Sequence, residues 1–192
     1  KNKYFRCLLI RIQFNSIRTS QFQIIKDIVN ANGWQDEFTF HETTCAVIHK
    51  NGNRFMSFGL NDVEKLKSVS DPTDIWIEEP ITRNEKVELK EFNELDRRLR
   101  TVKAKCHIYL TFNPVNKNNF VYEHFEKKRT FEDFFIHNSN YNHNFFCPEE
   151  EKVKYDRLKE IDPDDYTIYA LGEWGNPKTG MEYIFNFKRA NN

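Results

Sequence analysis

The sequence predicts an α/β domain in which helices flank a mainly parallel sheet. Apolar runs of strand length alternate along the chain with stretches that have helical spacing. Two of these runs end abruptly in polar residues, one in two acids and one in Asn-Pro. Strands separated by helices form crossover units, which place neighbouring strands side by side in parallel. The alternation therefore indicates one sheet with a mainly parallel centre.

The first half of the chain begins with the apolar run of residues 4–12, which predicts a buried strand. Apolar residues at helical spacing from Ser16 predict one helix that ends at Asn32-Gly33. The Asn51-Gly52 pair predicts a turn between two strands. The other elements expected here are short strands at 38–40, 44–49 and 54–58, and a short helix at 62–69.

The second half contains two further strands, at residues 74–77 and 105–112, both predicted to be buried. Between them, residues 84–100 carry Leu and Phe at helical spacing, which predicts a long helix. The remaining expectations are a strand-like stretch at 131–137, helices at 148–161 and 163–171, and a boundary near residue 176.

Composition limits the function classes. The chain has 192 residues, enough for one domain with a sizeable core. Its 29 Lys and Arg balance 29 Asp and Glu, so any contact with DNA must come from a local patch. The four cysteines show no paired spacing, which argues against a disulfide framework. No apolar run approaches the roughly 20 residues that span a bilayer, so we expect no membrane partner.

The strongest chemical signal is Glu78-Glu79 at the end of an apolar strand. Nucleotide hydrolases use one carboxylate to hold Mg²⁺ and another to orient or deprotonate the attacking water. The carboxyl end of a strand is where α/β sheets bind ligands. Adjacent residues on a strand point to opposite faces, so Glu79 is expected where the strand already turns. The alternative is an apolar strand that runs into an acidic surface turn.

The next strand ends in Thr111 and Asn113, which the topology places at the same edge of the sheet as the two glutamates. A polar side chain there could sense the terminal phosphate and couple hydrolysis to movement. Asn-Pro is also an ordinary turn signal, so a purely structural role is the alternative.

Basic residues supply weaker candidates. Arg11 and Arg18 flank the first strand-to-helix junction, where either could reach nucleotide phosphates or pair with a carboxylate. Arg97, Arg98 and Arg100 could contact a DNA backbone, and a favourable position at a helix end explains them equally well.

An ordered set of motifs resembles the phage terminase large subunits and covers nearly the whole chain. The set comprises residues 14–22, 59–62 with 67–68, 75–79, 111–114, 140–144 and 172–175. The resemblance implies a P-loop ATPase core followed by a nuclease domain of the ribonuclease H type. In it, residues 75–79 correspond to the Walker B strand, with Glu78 holding Mg²⁺ and Glu79 as the catalytic residue. Thr111 and Asn113 correspond to the motif that couples hydrolysis to movement.

The resemblance also implies the substrate, the partners and the place of action. ATP would be hydrolysed with Mg²⁺ as cofactor to move double-stranded DNA into a procapsid. The expected partners are a portal protein, a terminase small subunit and further copies of the chain in a ring on the capsid. The expected location is the cytoplasm of an infected bacterial cell.

The sequence departs from the family pattern in three ways. No segment matches the Gly-x-x-x-x-Gly-Lys-Ser/Thr loop, which is expected before Tyr4, and the nuclease is expected beyond Tyr183. The first Walker B acid is Glu78 where many relatives have Asp. We therefore expect a fold that is incomplete at its N-terminus, with a partial ATPase domain at 1–175 and a linker at 176–192.

Without the phosphate-binding loop, we expect this chain alone to be inactive. Two alternatives remain open at this point. One is another P-loop NTPase, such as a helicase-like protein. The other is a catalytically inactive remnant that serves as an interaction or DNA-binding module.

Overall fold

A computed structural model describes residues 4–60, 66 and 68–175. The chain divides into two compact units, residues 1–112 and residues 113–192. Among the described residues, no helix combines the length and the apolar character needed to cross a bilayer. The predicted linker at 176–192 and most of the predicted helix at 62–69 lie outside the described residues. The predicted domain limits therefore stay a prediction.

The first unit is built on a six-stranded sheet with the order β2-β3-β4-β1-β5-β6. Strand β1 lies between β4 and β5 and is parallel to both, and β6 is parallel to β5. Strands β2 and β3 add an antiparallel hairpin on the β4 side. The mainly parallel α/β sheet is therefore confirmed. The strands are β1 (Arg6–Arg11), β2 (Phe38–His41), β3 (Ala46–His49), β4 (Arg54–Gly59), β5 (Asp74–Glu78) and β6 (His107–Thr111).

Two helices, α1 (Phe14–Thr19) and α2 (Gln21–Ala31), follow β1 where the sequence predicted one. The break is at Ser20, whose backbone angles are φ −119° and ψ −105°. The Ser20 hydroxyl donates to the Ser16 carbonyl at 2.8 Å, a side-chain bond that competes with regular helix geometry. The prediction of a single helix was therefore wrong at this one residue.

A hydrophobic core joins one face of the sheet to these two helices. Ile17 and Phe22 are fully or almost fully buried there against Leu9 of the central strand. Strand residues contribute alternately because successive side chains point to opposite faces. The other buried members are Cys7, Ile25, Val29, Cys45 and Val47, with Phe5, Phe14, Phe38, Phe40, Phe55 and Trp76 packed around them.

Helix α3 (Leu89–Asp96) is much shorter than the predicted helix at 84–100. The chain before it forms a turn around Thr82, whose hydroxyl accepts from the backbone N–H groups of Asn84 and Glu85. Val87 N–H then donates to the Pro80 carbonyl at 2.7 Å. The helix begins only after Glu88 because the preceding backbone groups already have these partners.

Strand β6 lies at the edge of the sheet, where the sequence predicted a buried strand. Its alternate residues are exposed, and Tyr109 is 50 % exposed. An apolar run alone does not separate an edge strand from a central one, because both bury at least one face.

In the described part of the second unit, residues 113–175, the regular elements are helices. Its elements are a π-helix at Tyr122–Lys127, a 3₁₀ turn at Tyr141–His143, α4 (Glu149–Ile161), α5 (Pro163–Asp165) and a second π-helix at Tyr166–Ala170. The two predicted helices at 148–161 and 163–171 are confirmed. The strand-like stretch at 131–137 is not a strand. Its Phe131 stacks on Phe125 of the first π-helix at 4.7 Å between ring centroids, and this local ring packing takes the place of strand pairing.

Candidate active site

Strand β5 ends at Glu78, and the next residue leaves the strand in a left-handed conformation. Glu79 has φ 50°, which is uncommon outside glycine and costs about 1–2 kcal/mol. Its backbone N–H donates to the Thr111 carbonyl at 2.8 Å, which holds the turn against the end of β6. The expectation that Glu79 lies where the strand turns is therefore confirmed. Backbone strain of this kind concentrates at functional sites.

Both glutamates meet the guanidinium of Arg11. Arg11 is the last residue of β1, one position beyond Ile10, which is paired with Ile77 of β5. Its Nη1 lies 3.5 Å from Glu78 Oε2, and its Nη2 contacts Glu79 Oε2. The parallel pairing of β1 with β5 thus brings three residues that the sequence singled out into one cluster at the carboxyl end of the sheet.

Glu78 is the more buried of the two glutamates. Its side chain is 18 % exposed, and Oε2 is buried without a hydrogen-bond partner. Buried carboxylate oxygens normally have partners, so this one has unused capacity. Mg²⁺ takes one or two carboxylates and completes its shell with water and phosphate oxygens. Among the described residues, no group of three or more His, Cys, Asp or Glu could hold a metal ion. Mg²⁺ does not need such a group, because it binds through one or two carboxylates.

Thr111 is tied to the same turn through both its backbone and its side chain. Its carbonyl accepts from Glu79 N–H, and its hydroxyl accepts from Trp76 Nε1 at 2.7 Å. The Trp76 carbonyl in turn accepts from the Gln21 side-chain amide at 2.9 Å. A shift of Thr111 would therefore be felt at Glu79, which is the geometry that a coupling residue requires.

Sequence reasoning missed Gln21 and Trp76. Gln21 is fully buried, and its Oε1 has no hydrogen-bond partner. The available signal was its spacing, because it lies four residues from both Ile17 and Ile25 on the apolar side of a helical stretch. A polar side chain at such a position must find a buried partner, and here that partner is the β5 backbone.

Arg18 and Asn113 have contacts of their own. Arg18 pairs with Glu42 at 3.7 Å, with its side chain 47 % exposed. Asn113 is the first residue of the second unit, where its carbonyl accepts from Val115 N–H at 2.8 Å. The nucleotide role of Arg18 and the coupling role of Asn113 stay predictions.

The predicted DNA-binding arginines surround the end of α3. Arg97 pairs with Glu94 at 3.0 Å, and Arg98 contacts the other oxygen of that carboxylate. These two pairs lower the pKa of Glu94, first through the hydrogen bond from Arg97. Arg100 is exposed beyond the helix. The carboxylate removes part of the positive charge of this patch, and DNA binding stays a prediction.

Comparisons with known proteins bear on the family of this chain. The sequence matches the family described as phage terminase large subunit over residues 2–173. It is 33 % identical to the PBSX phage terminase large subunit of Bacillus subtilis (strain 168) in a 186-residue alignment, which covers 88 % of this chain and 42 % of that protein. The chain thus spans less than half the length of this relative.

Solved structures with the same fold come from the large terminase of a thermophilic bacteriophage. One crystal form of that terminase superimposes with a TM-score of 0.71 at 14 % identity, covering 91 % of this chain and 42 % of that one. The same protein in complex with ADP gives a TM-score of 0.69 at 16 % identity, with the same coverage. Its complex with ATP-gamma-S gives 0.67 at 14 % identity, covering 91 % of this chain and 41 % of that one. Because its family match spans almost all of the described residues, this chain belongs to the phage terminase large subunit family.

Proposed function

We propose that this chain is part of the ATPase of a viral DNA-packaging motor. In this proposal a terminase large subunit hydrolyses ATP with Mg²⁺ and moves double-stranded DNA into a procapsid. One observation carries the proposal. Two glutamates at the carboxyl end of a central parallel strand converge on one arginine, and one of their oxygens is buried and accepts no hydrogen bond. The family membership and the nucleotide complexes of the thermophilic phage terminase support the same conclusion.

The two glutamates have separate roles in this proposal. Glu78, the more buried, would hold Mg²⁺ through its free oxygen. Bound Mg²⁺ neutralises charge that develops on the transferred phosphoryl group. Glu79, whose side chain is 43 % exposed, would orient or deprotonate the attacking water. Its left-handed backbone turns its carboxylate out of the strand alternation, so both acids can serve one ligand.

The coupling role falls to the end of β6. Thr111 accepts the Glu79 N–H and anchors Trp76, so a displacement of β6 would move the catalytic turn. We propose that Thr111, together with Asn113, transmits the state of the nucleotide to moving parts of the motor. Arg11 and Arg18 are the arginines nearest the first strand-to-helix junction and remain candidates for contact with phosphate.

The partners follow from the same proposal. Double-stranded viral DNA would be the cargo, and Arg97, Arg98 and Arg100 are the candidate contacts with its backbone. A portal protein, a terminase small subunit and further copies of this chain in a ring would complete the motor, in the cytoplasm of an infected bacterium. The 192 residues contain no Gly-rich phosphate loop, so we propose that turnover requires one from elsewhere in the motor protein.

The decisive variant is Glu79→Gln in a polypeptide where a Gly-x-x-x-x-Gly-Lys-Ser/Thr loop precedes this segment. We expect ATP turnover to fall by roughly 10²–10⁴-fold, because a positioned acid–base group is lost. ATP binding should be retained, since Glu79 is not the proposed metal ligand. Turnover is measured by phosphate release, and binding by a fluorescent ATP analogue.

Glu37→Gln is the matched control for this experiment. Glu37 is a 54 % exposed glutamate that also has an ion-pair partner, His49, in the antiparallel part of the unit. The Glu37→Gln variant should leave ATP turnover unchanged. Unchanged turnover in Glu79→Gln would contradict the catalytic role and favour the second alternative, an inactive interaction module.

A further inference from the structure

Arg11 is the cation that the structure places on both glutamates. Its two terminal nitrogens divide between them, with Nη1 3.5 Å from Glu78 Oε2 and Nη2 in contact with Glu79 Oε2. The position is set by the sheet itself, because Arg11 ends β1 and the glutamates end the neighbouring β5. The guanidinium therefore bridges two carboxylates that the proposed function uses separately.

The pair formed by Arg11 and Glu78 is largely shielded from water. Their side chains are 17 % and 18 % exposed, so neither charge is fully compensated by solvent. At 3.5 Å the guanidinium compensates the charge of Glu78, yet Oε2 accepts no hydrogen bond. Arg11 therefore neutralises the charge on Glu78 Oε2, and the lone pairs of this oxygen stay available to a ligand.

We propose that Arg11 is a positioning residue that acts as an exchangeable counter-ion. Its guanidinium holds Glu78 and Glu79 together, and a divalent cation that binds Glu78 must displace it. This inference rests on the proposed function, because it takes Glu78 as the metal ligand.

The exchange follows from charge and space. A divalent cation and a guanidinium repel each other, and both need the same small volume beside Glu78 Oε2. While the guanidinium contacts Glu79 Oε2, it occupies one side of that oxygen and compensates the charge of the carboxylate. Displacement of Arg11 therefore does two things at once: it opens the metal position and frees the carboxylate that acts on water. The turn at Glu79 stays in place, because its backbone bond to Thr111 does not involve Arg11.

The first test measures whether Arg11 and Glu78 are coupled. Urea unfolding is compared for the 192-residue chain, Arg11→Met, Glu78→Gln and the double variant. We expect Arg11→Met to lower the urea midpoint, because Glu78 is left without its counter-ion. Adding Glu78→Gln should recover part of that loss, since the uncompensated charge is gone. Strictly additive midpoint shifts would overturn the counter-ion role.

The second test uses Mn²⁺ alone as the probe and electron paramagnetic resonance of free Mn²⁺ as the readout, without ATP or turnover. Arg11→Met should bind Mn²⁺ more tightly than the unmodified chain by roughly 5-fold or more, because the competing charge is removed. Lys26→Met is the matched control, with the same change of net charge at a residue that pairs with Glu42 and has no role in the proposed site. It should bind like the unmodified chain. Adding Glu78→Gln to Arg11→Met should abolish the gain.

The outcomes separate this inference from the proposed function. Equal Mn²⁺ affinity in Arg11→Met and Lys26→Met would overturn the exchange and leave Glu78 as a metal ligand. Absence of Mn²⁺ binding from every variant, with coupling present in the urea experiment, would overturn the metal role of Glu78 and the exchange with it. If Arg11→Met does not fold, Arg11→Gln replaces it in both measurements. This variant removes the same charge but keeps a polar side chain.

Discussion

Strand β5 begins and ends in an acidic residue, and the two ends differ in how well those acids are satisfied. At the amino end, Asp74 is 6 % exposed and accepts the Thr73 hydroxyl at 2.6 Å. His107 Nδ1 lies 3.3 Å from its other oxygen. At the carboxyl end, Glu78 has a buried oxygen with no hydrogen bond, and Glu79 has a strained backbone. One five-residue strand therefore carries a completed polar network and an incomplete one.

The difference separates two kinds of buried charge, one with hydrogen-bond partners for its oxygens and one without. A buried carboxylate whose oxygens are satisfied stabilises one arrangement and leaves no capacity for a ligand. A carboxylate with a buried oxygen that accepts no hydrogen bond, next to a strained residue, keeps capacity for a ligand. Loss of Asp74 should therefore reduce stability, whereas loss of Glu78 should reduce ligand binding.

The largest expected effect comes from matched amide substitutions at the two ends. Asp74→Asn should lower the free energy of unfolding by about 3 kcal/mol, because one oxygen becomes a donor that faces Thr73 or His107. Glu78→Gln should lower it by less than about 1 kcal/mol, since the oxygen concerned has no hydrogen bond to lose and Arg11 keeps its contact with Glu79. Urea unfolding at neutral pH measures both. Equal losses would remove the distinction between the two ends.

A second substitution tests how tightly the carboxyl end is packed. Gly59 pairs with Arg11 in the sheet, and a Cβ there would lie 2.9 Å from the Phe14 backbone nitrogen. Gly59→Ala should cost about 2 kcal/mol, because backbone must move to make room. The control is Gly33→Ala, where φ is 70° and no atom lies within 4 Å of the added Cβ. Its loss, from backbone strain alone, should be about 1 kcal/mol. If Gly59→Ala loses no more stability than Gly33→Ala, the backbone around Gly59 and Phe14 accommodates the added Cβ at little cost.

The smallest effect is the pH dependence of the amino end. Burial raises the pKa of Cys7 from 9.0 to about 12, and the nearby Asp74 charge adds to the increase. Between these two pH values the folded chain keeps a proton that the unfolded chain has lost, so stability falls as pH rises above about 9. From pH 8 to pH 10 the free energy of unfolding should fall by about 1.4 kcal/mol from this thiol.

Cysteine variants isolate this contribution from the other groups that titrate in alkali. Cys7→Ala should show a pH 8 to pH 10 decrease that is smaller by about that amount, whereas Cys147→Ala keeps Cys7 and should retain the full decrease. Parallel pH profiles for all three chains would contradict the buried, protonated thiol at the amino end.

The sequence by itself determined the class of the fold and singled out the candidate carboxylates along the chain. Apolar runs and helical spacing report local burial, so all six strands and the helices after residues 16 and 148 could be predicted from them. Glu78 and Glu79 were recognisable because two acids directly follow an apolar strand. Sequence pattern could not place the helix break at Ser20 or the late start of α3, because side-chain bonds to the backbone override periodicity there.

Only the tertiary structure decided which of the candidates meet. Arg11 and Arg18 looked equivalent in sequence, yet Arg11 reaches the glutamates because β1 lies directly beside β5. Arg18, one helix further on, pairs with Glu42. The sequence also did not show that β6 lies at the edge of the sheet or that Gln21 packs under β5. Strand order is set by contacts between residues far apart in the chain, and periodicity within a single element carries no information about those contacts.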